Sequence, residues 1–301
     1  MVKTTPLNQG RNATVALLST AHLVTDSYSS FLGPLLPLLT IRLHLTPARA
    51  GLLIPTMMIT TSLMQPVYGM ISDRYLKRSM AVYGPLVAAI FFSLIGQADS
   101  LPLLIGCVVA GGIGIGAFHP QSAAMVSSVN ATRRATTMSV FSSAGTVGVA
   151  VGPILITSIV ASFGLERTYL AMIFGVAMTA LLWRYCPPLE RVRDPQREPL
   201  HRTLRTVAGP LSILYFAVVL RSAAHVSIQT YLPFMLTDNG LRLTDIGWVL
   251  SGFIFFGGIG GLFGGTLADR FGARRVSMMT LALAAPFLGA AVVSDGMLSY
   301  L

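Results

Sequence analysis

The sequence predicts an all-α, polytopic membrane protein, and three observations carry that prediction. Of 301 residues, 53% are hydrophobic and only 11% are charged, less than half of the roughly 25% charged fraction usual in a soluble domain. The apolar residues arrive in long runs, such as Leu101 to Val129 and Val276 to Val293, each near or beyond the roughly 20 residues that cross ~30 Å of hydrocarbon. The 29 Gly and 17 Pro would leave a soluble helical protein poorly specified. They suit membrane helices, where small residues let backbones approach closely.

Taken in order, the runs give nine spans, at 15–40, 50–71, 80–98, 101–128, 137–162, 167–185, 208–235, 245–267 and 276–297. The segment before span 1, Met1 to Arg11, is polar and basic and lacks a small-residue cleavage site, so span 1 is its own anchor. Spans 2 and 3 flank the charged turn Asp73 to Arg78, and span 5 follows the pair Arg133-Arg134. After span 6 comes the longest polar stretch, with Pro187, Pro188, Pro195 and Pro199, which reads as a linker. The chain therefore divides into a six-helix bundle at 1–186, a cytoplasmic linker at 187–207 and an incomplete bundle of three helices at 208–301. Cys107 and Cys186 lie within or at the end of apolar runs and are read as packing residues.

Orientation follows from the basic residues. Of the 21 Lys and Arg, sixteen fall on one set of alternate loops, and Arg42, Arg49, Arg167 and Arg242 fall on the other, with Arg221 inside span 7. The positive-inside rule puts the N-terminus and the heavily basic side in the cytoplasm. The formal charge of +10 is thereby explained by contact with anionic lipid headgroups, and no nucleic-acid partner is needed.

The chain also repeats itself. Leu36-Pro37 recurs as Leu232-Pro233, Leu43-His44-Leu45-Thr46 as Leu241-Arg242-Leu243-Thr244, and Gly69-x-x-x-Asp73-Arg74 as Gly265-x-x-x-Asp269-Arg270. The offsets are 196, 198 and 196 residues. Span 7 thus restarts the pattern of span 1, and a complete version would have about twelve spans.

Gly265-Thr-Leu-Ala-Asp269-Arg270-Phe-Gly272-Ala-Arg274-Arg275 resembles the loop signature of the major facilitator superfamily, and Gly69-Met-Ile-Ser-Asp73-Arg74-Tyr-Leu-Lys77-Arg78 looks like its first-half copy. Within that superfamily the chain resembles the fosmidomycin-resistance group of drug exporters, through His22-x-x-x-Asp26, Gln65-Pro66-Val-x-Gly69 and Phe118-His119-Pro120-Gln121-Ser122. That group usually shows an acidic residue where Gln121 stands. Span 5 carries Gly145-x-x-Gly148-x-x-x-Gly152-Pro153, similar to part of a signature associated with antiporters. The same glycines and Pro153 equally serve close helix packing and a kink. The resemblance implies helix bundles of the major facilitator type, a multi-pass protein of the bacterial inner membrane acting as a monomer, and proton-coupled efflux of a small, anionic drug or metabolite. Solute uptake by symport, or an inactive or regulatory fragment of a twelve-helix transporter, remain as alternative readings.

Few ionisable residues lie inside the spans, where a charge costs roughly 2.5 to 3.5 kcal/mol at the bilayer centre and so needs a cavity or a partner. His22, Asp26, Ser29 and Gly33 share one face of span 1, and Arg221, His225 and Gln229 share one face of span 7. The repeat offset places Arg221 opposite position 25, next to Asp26. Two readings stay open for these stripes: Asp26 and His22 handle protons while Arg221 and His225 attract an anionic solute, or the set is a structural ion pair. His119, before Pro120, and Gln121 join the candidate cavity. Gly69, Asp73 and Arg74, with Gly265, Asp269 and Arg270, are the candidate cytoplasmic gate, Asp269 pairing with Arg133 or Arg134.

Gly112-Ile-Gly114-Ile-Gly116-Ala117 fits a loose dinucleotide fingerprint but lacks a strand-turn-helix context and is read as packing. The five His are too scattered along the chain for a metal box, His22 and His44 being the closest pair, so neither a metal nor a cofactor is expected. No nucleophile with its base is found, so the protein is not read as an enzyme.

Overall fold

The computed structural model describes residues 6–75, 78–129, 134–187 and 200–293. Every element among them is helical: α1 (Pro6–Ser29), α2 (Leu32–Arg42), α3 (Pro47–Gly51), α4 (Leu53–Met58), α5 (Gln65–Tyr75), α6 (Ser79–Ser93), α7 (Leu101–Val129), α8 (Arg134–Phe163), α9 (Met172–Tyr185), α10 (Leu200–Asp238), α11 (Leu243–Phe271) and α12 (Ala273–Val293). As far as the described residues reach, each of the nine expected spans is predominantly helical. Among the described residues six stretches are long and apolar enough to cross a membrane: 47–74, 79–97, 101–129, 136–163, 165–185 and 243–260. Spans 1, 7 and 9 fall outside that set. Span 1 is broken and carries His22, Asp26 and several serines, and α10 carries Arg221, His225 and Gln229. The α10 helix also begins at Leu200, inside the stretch that the sequence reads as linker.

The break in span 1 has a local cause. Ser27, Ser29 and Ser30 donate to the carbonyls of Val24, Asp26 and Ser27, competing with the helical ladder, and Pro34 has no N–H to offer Ser30. Span 2 is under-wound and widened between α4 and α5. Ile59–Leu63 forms a π-helical turn, just before Pro66 removes another ladder donor. The carbonyl of Thr61 there accepts from Gln65 Nε2 at 2.9 Å.

Because lipid tails are as apolar as leucine, close van der Waals packing rather than apolar burial holds membrane helices together. The α6 and α7 helices meet through Gly84 and Gly114: a Cβ on Gly84 would lie 2.7 Å from the Gly114 carbonyl, and one on Gly114 would lie 2.6 Å from the Ala88 amide. Gly116 faces the opposite way, against the carbonyls of Thr60 and Thr61. The glycine run in span 4 is thus a two-sided packing surface. Cys107 and Cys186 are buried and free. Tyr28, fully buried, ties α1 to the start of α9. Its hydroxyl donates to Ala171 O at 2.7 Å and accepts from Gly175 N at 2.9 Å. Tyr28→Phe strands both backbone groups, so thermal melting in detergent should show a loss of about 1–3 kcal/mol; an unchanged melting temperature would contradict this role.

The internal repeat reappears in the backbone. Arg42 and Asp238 end their helices, Pro47 and Leu243 begin the next, and Tyr75 and Phe271 end those. His44 and Gly240 adopt positive φ, 50° and 78°, in the turns between. Each pair is separated by the same 196 positions. Gly33 and Gln229 are mates at that offset too, and they touch: a Cβ on Gly33 would lie 3.5 Å from the Gln229 carbonyl.

Candidate functional site

Asp26 sits at the meeting point of α1, α7 and α8. The i, i+4 spacing of α1 brings His22 Nε2 to 3.0 Å from Asp26 Oδ2, and α7 delivers His119 Nε2 to 3.3 Å from Oδ1. His22 and Asp26 are buried, while His119 keeps a quarter of its side chain exposed. The contact from His119 is off-line for a hydrogen bond, leaving Oδ1 a buried carboxylate oxygen without an aligned donor. The reading of the histidines as scattered is therefore corrected in space: His22 and His119 lie edge to face with ring centroids 5.0 Å apart.

Both imidazoles are held by their other nitrogen. His22 Nδ1 lies 2.7 Å from Phe141 O, and His119 Nδ1 lies 2.8 Å from Ile115 O, one turn back in its own helix. A carbonyl only accepts, so each Nδ1 carries the hydrogen. Each Nε2 then points at Asp26 as a bare acceptor when its ring is neutral. Two acceptors at 3.0 Å repel unless a proton or another cation lies between them. His22 also stacks on Phe141, centroids 4.1 Å apart.

The close approach of α8 to α1 is made by the glycines of span 5. Gly148 abuts the backbone of Leu23, and Gly152 abuts Ser27 and Ser30. Gly145 faces the site itself: a Cβ there would lie 2.5 Å from His22 Nε2 and 2.8 Å from Asp26 Oδ2. Phe141, Ile115 and Gly145 were not singled out in the sequence as parts of this cluster. Only Gly145, through its spacing with Gly148 and Gly152, left a trace there.

One turn further along α1 a cavity of about 180 Å³ opens between the two repeats. Its walls include Ser29, Ser30, Gly33, Thr61, Ser62 and Gln229, with Met57, Met58, Pro153 and Leu250. They carry hydroxyls and one amide but no charged side chain, and His22, Asp26 and His119 are not among them.

The other candidate residues are placed as follows. His225 is exposed and stacks on Phe253, centroids 5.5 Å apart. Gln121 is buried and spans helices: its Oε1 accepts from Ala81 N at 2.8 Å and its Nε2 donates to Ser72 Oγ at 2.7 Å. Arg221 lies in α10, with its side chain outside the described residues. At the basic end, Asp73, Arg74, Arg134 and Arg270 are exposed, and Gly69 packs toward Pro120. Arg133, the Asp269 side chain and the surroundings of Gly265 lie outside the described residues, as does the ion pair expected there. Gly272, at φ 88°, ends α11 with its N–H on Ala268 O, the left-handed stop that glycine permits.

The comparisons with known proteins agree with this architecture. The family model described as Major Facilitator Superfamily matches residues 18–235 and 211–301. The chain is 26% identical over 279 residues to the fosmidomycin resistance protein of Escherichia coli (strain K12), covering 90% of this chain and 68% of that one. It is 26% identical over 284 residues to the probable nitrate/nitrite transporter NarK2 of Mycobacterium tuberculosis (strain ATCC 25618 / H37Rv), covering 91% and 71%. The inward-facing, occupied structure of a bacterial homolog to the human lysosomal transporter Spinster shares the fold, with a TM-score of 0.82 at 16% identity over 98% of this chain and 70% of that one. The family comprises multi-pass membrane proteins that carry small solutes and are not enzymes. With its family model spanning both repeats, the chain belongs to the Major Facilitator Superfamily.

Proposed function

We propose that the protein is a proton-coupled exporter of a small solute, working by alternating access between two repeat-related lobes, residues 1–186 and 208–301, joined by 187–207. The observation that carries this reading is the carboxylate of Asp26 held between two imidazoles whose Nδ1 atoms are committed to carbonyls. Such a cluster can change its proton count by one while both Nδ1–H anchors stay in place. Among the described residues the titratable groups in contact with Asp26 are His22 from α1 and His119 from α7, and α8 contributes the Phe141 carbonyl and Gly145 to the cluster. The neighbouring cavity, at about 180 Å³, receives the solute through hydroxyls and the Gln229 amide. Arg221 and His225 on α10 draw an anionic solute toward it.

Efflux is supported by the likeness to the fosmidomycin resistance protein and by the antiporter-like glycines Gly148 and Gly152 with Pro153. The basic loops, with Asp73, Arg74, Arg134 and Arg270 exposed, face the cytoplasm and anionic lipid, and the Asp73 and Asp269 loops close that side. The test uses everted inner-membrane vesicles containing the full chain, with fosmidomycin as probe. Acidifying the vesicle lumen, so that protons run outward through the protein, should load the vesicles with solute, and a protonophore should empty them. Uptake that survives the protonophore removes proton coupling, and movement in the opposite sense removes export.

A further inference from the structure

We propose that His22, Asp26 and His119 form a binding site for one divalent transition cation of the Zn²⁺ class. Their ligating atoms all lie within 4.8 Å of one another, and two imidazole nitrogens with one carboxylate are a borderline-soft donor set suited to such an ion. Two features distinguish this set from a chance cluster. Each histidine donates its Nδ1–H to a backbone carbonyl, the outer contact that fixes ring orientation and leaves Nε2 free to ligate. Asp26 Oδ1 is a buried oxygen without an aligned donor. His119, the more exposed member, gives an ion a way in. Three protein ligands beside an open position match zinc sites that keep a fourth place for water.

The ion and a proton compete for the same three atoms, so an occupied site is one that no longer exchanges protons. The inference stands apart from the transport reading, since binding is measured without a gradient or a solute. The full chain in detergent is titrated with Co²⁺, whose visible absorption is intense in a four-coordinate site and weak in water. One equivalent should raise a saturable band, and His22→Ala or His119→Ala should weaken binding at least about 10-fold, whereas His44→Ala should leave it unchanged. Should either alanine variant fail to fold, His119→Cys keeps a ligand and should add a thiolate-to-cobalt charge-transfer band. Absence of a saturable band in the parent chain, an equal band in His119→Ala, or no new band in His119→Cys overturns the site, while leaving gradient-driven transport to be judged on its own assay.

Discussion

Asp26→Asn should abolish gradient-driven transport while leaving a folded protein. With each Nδ1–H fixed on a carbonyl, both neutral Nε2 atoms are acceptors. An asparagine amide can donate to one of them, but its oxygen faces the lone pair of the other. The structural cost is that of one unsatisfied buried group, about 1–3 kcal/mol. The functional cost under the proposed coupling is larger: with the carboxylate as the group that takes up and releases the proton, a drop of about 100-fold or more is expected, the scale of removing a proton-transfer group. Exchange of solute across vesicles without a gradient should persist, since the cavity walls do not include Asp26. Transport by Asp26→Asn that keeps its parental rate and pH profile would take Asp26 out of the proton path.

The second large effect is expected at Gly148. A Cβ on Gly148 would lie 2.8 Å from both the carbonyl carbon and the Cα of Leu23, and backbone atoms in a helix cannot swing aside as a flexible side chain can. Gly148→Ala therefore forces α8 away from α1 and should lower stability by about 1–3 kcal/mol, the usual cost of overpacking. It should also pull Gly145 and Phe141 away from His22 and so weaken proton coupling. Gly106→Ala on α7, where nothing lies within 4 Å, is the control and should melt like the parent. Equal melting temperatures for the two variants would show that α1 and α8 are not packed through this glycine.

What the sequence made legible were features encoded locally or by repetition. Apolar length located helices such as α7 and α8. The offset of 196 residues, visible in the sequence, recurs in the paired helix ends and in the contact of Gly33 with Gln229. Spacing alone put His22 and Asp26 on one face of span 1, and they meet at 3.0 Å. The arrival of His119 depends on where α7 crosses α1, and the grip on His22 depends on a main-chain carbonyl of Phe141; neither leaves a mark in residue type or period. Gln121 reads as a cavity residue by resemblance, yet its amide spans Ala81 and Ser72, because partner choice is made by helices distant in the chain. The breaks at Ser30 and at Ile59–Leu63 arise from proline and hydroxyl chemistry that a count of apolar residues passes over.

The anchored rings also govern leakage. A proton wire needs each relay to accept on one side and donate on the other, which for imidazole means passing charge from one nitrogen to its opposite. Here the far nitrogens end on Phe141 and Ile115 carbonyls, which have no hydrogen to pass on. Under the proposed coupling the cluster is a storage cell with a single doorway, loaded and emptied from the same face, so that protons would cross the membrane only when the whole structure turns that doorway from one side to the other.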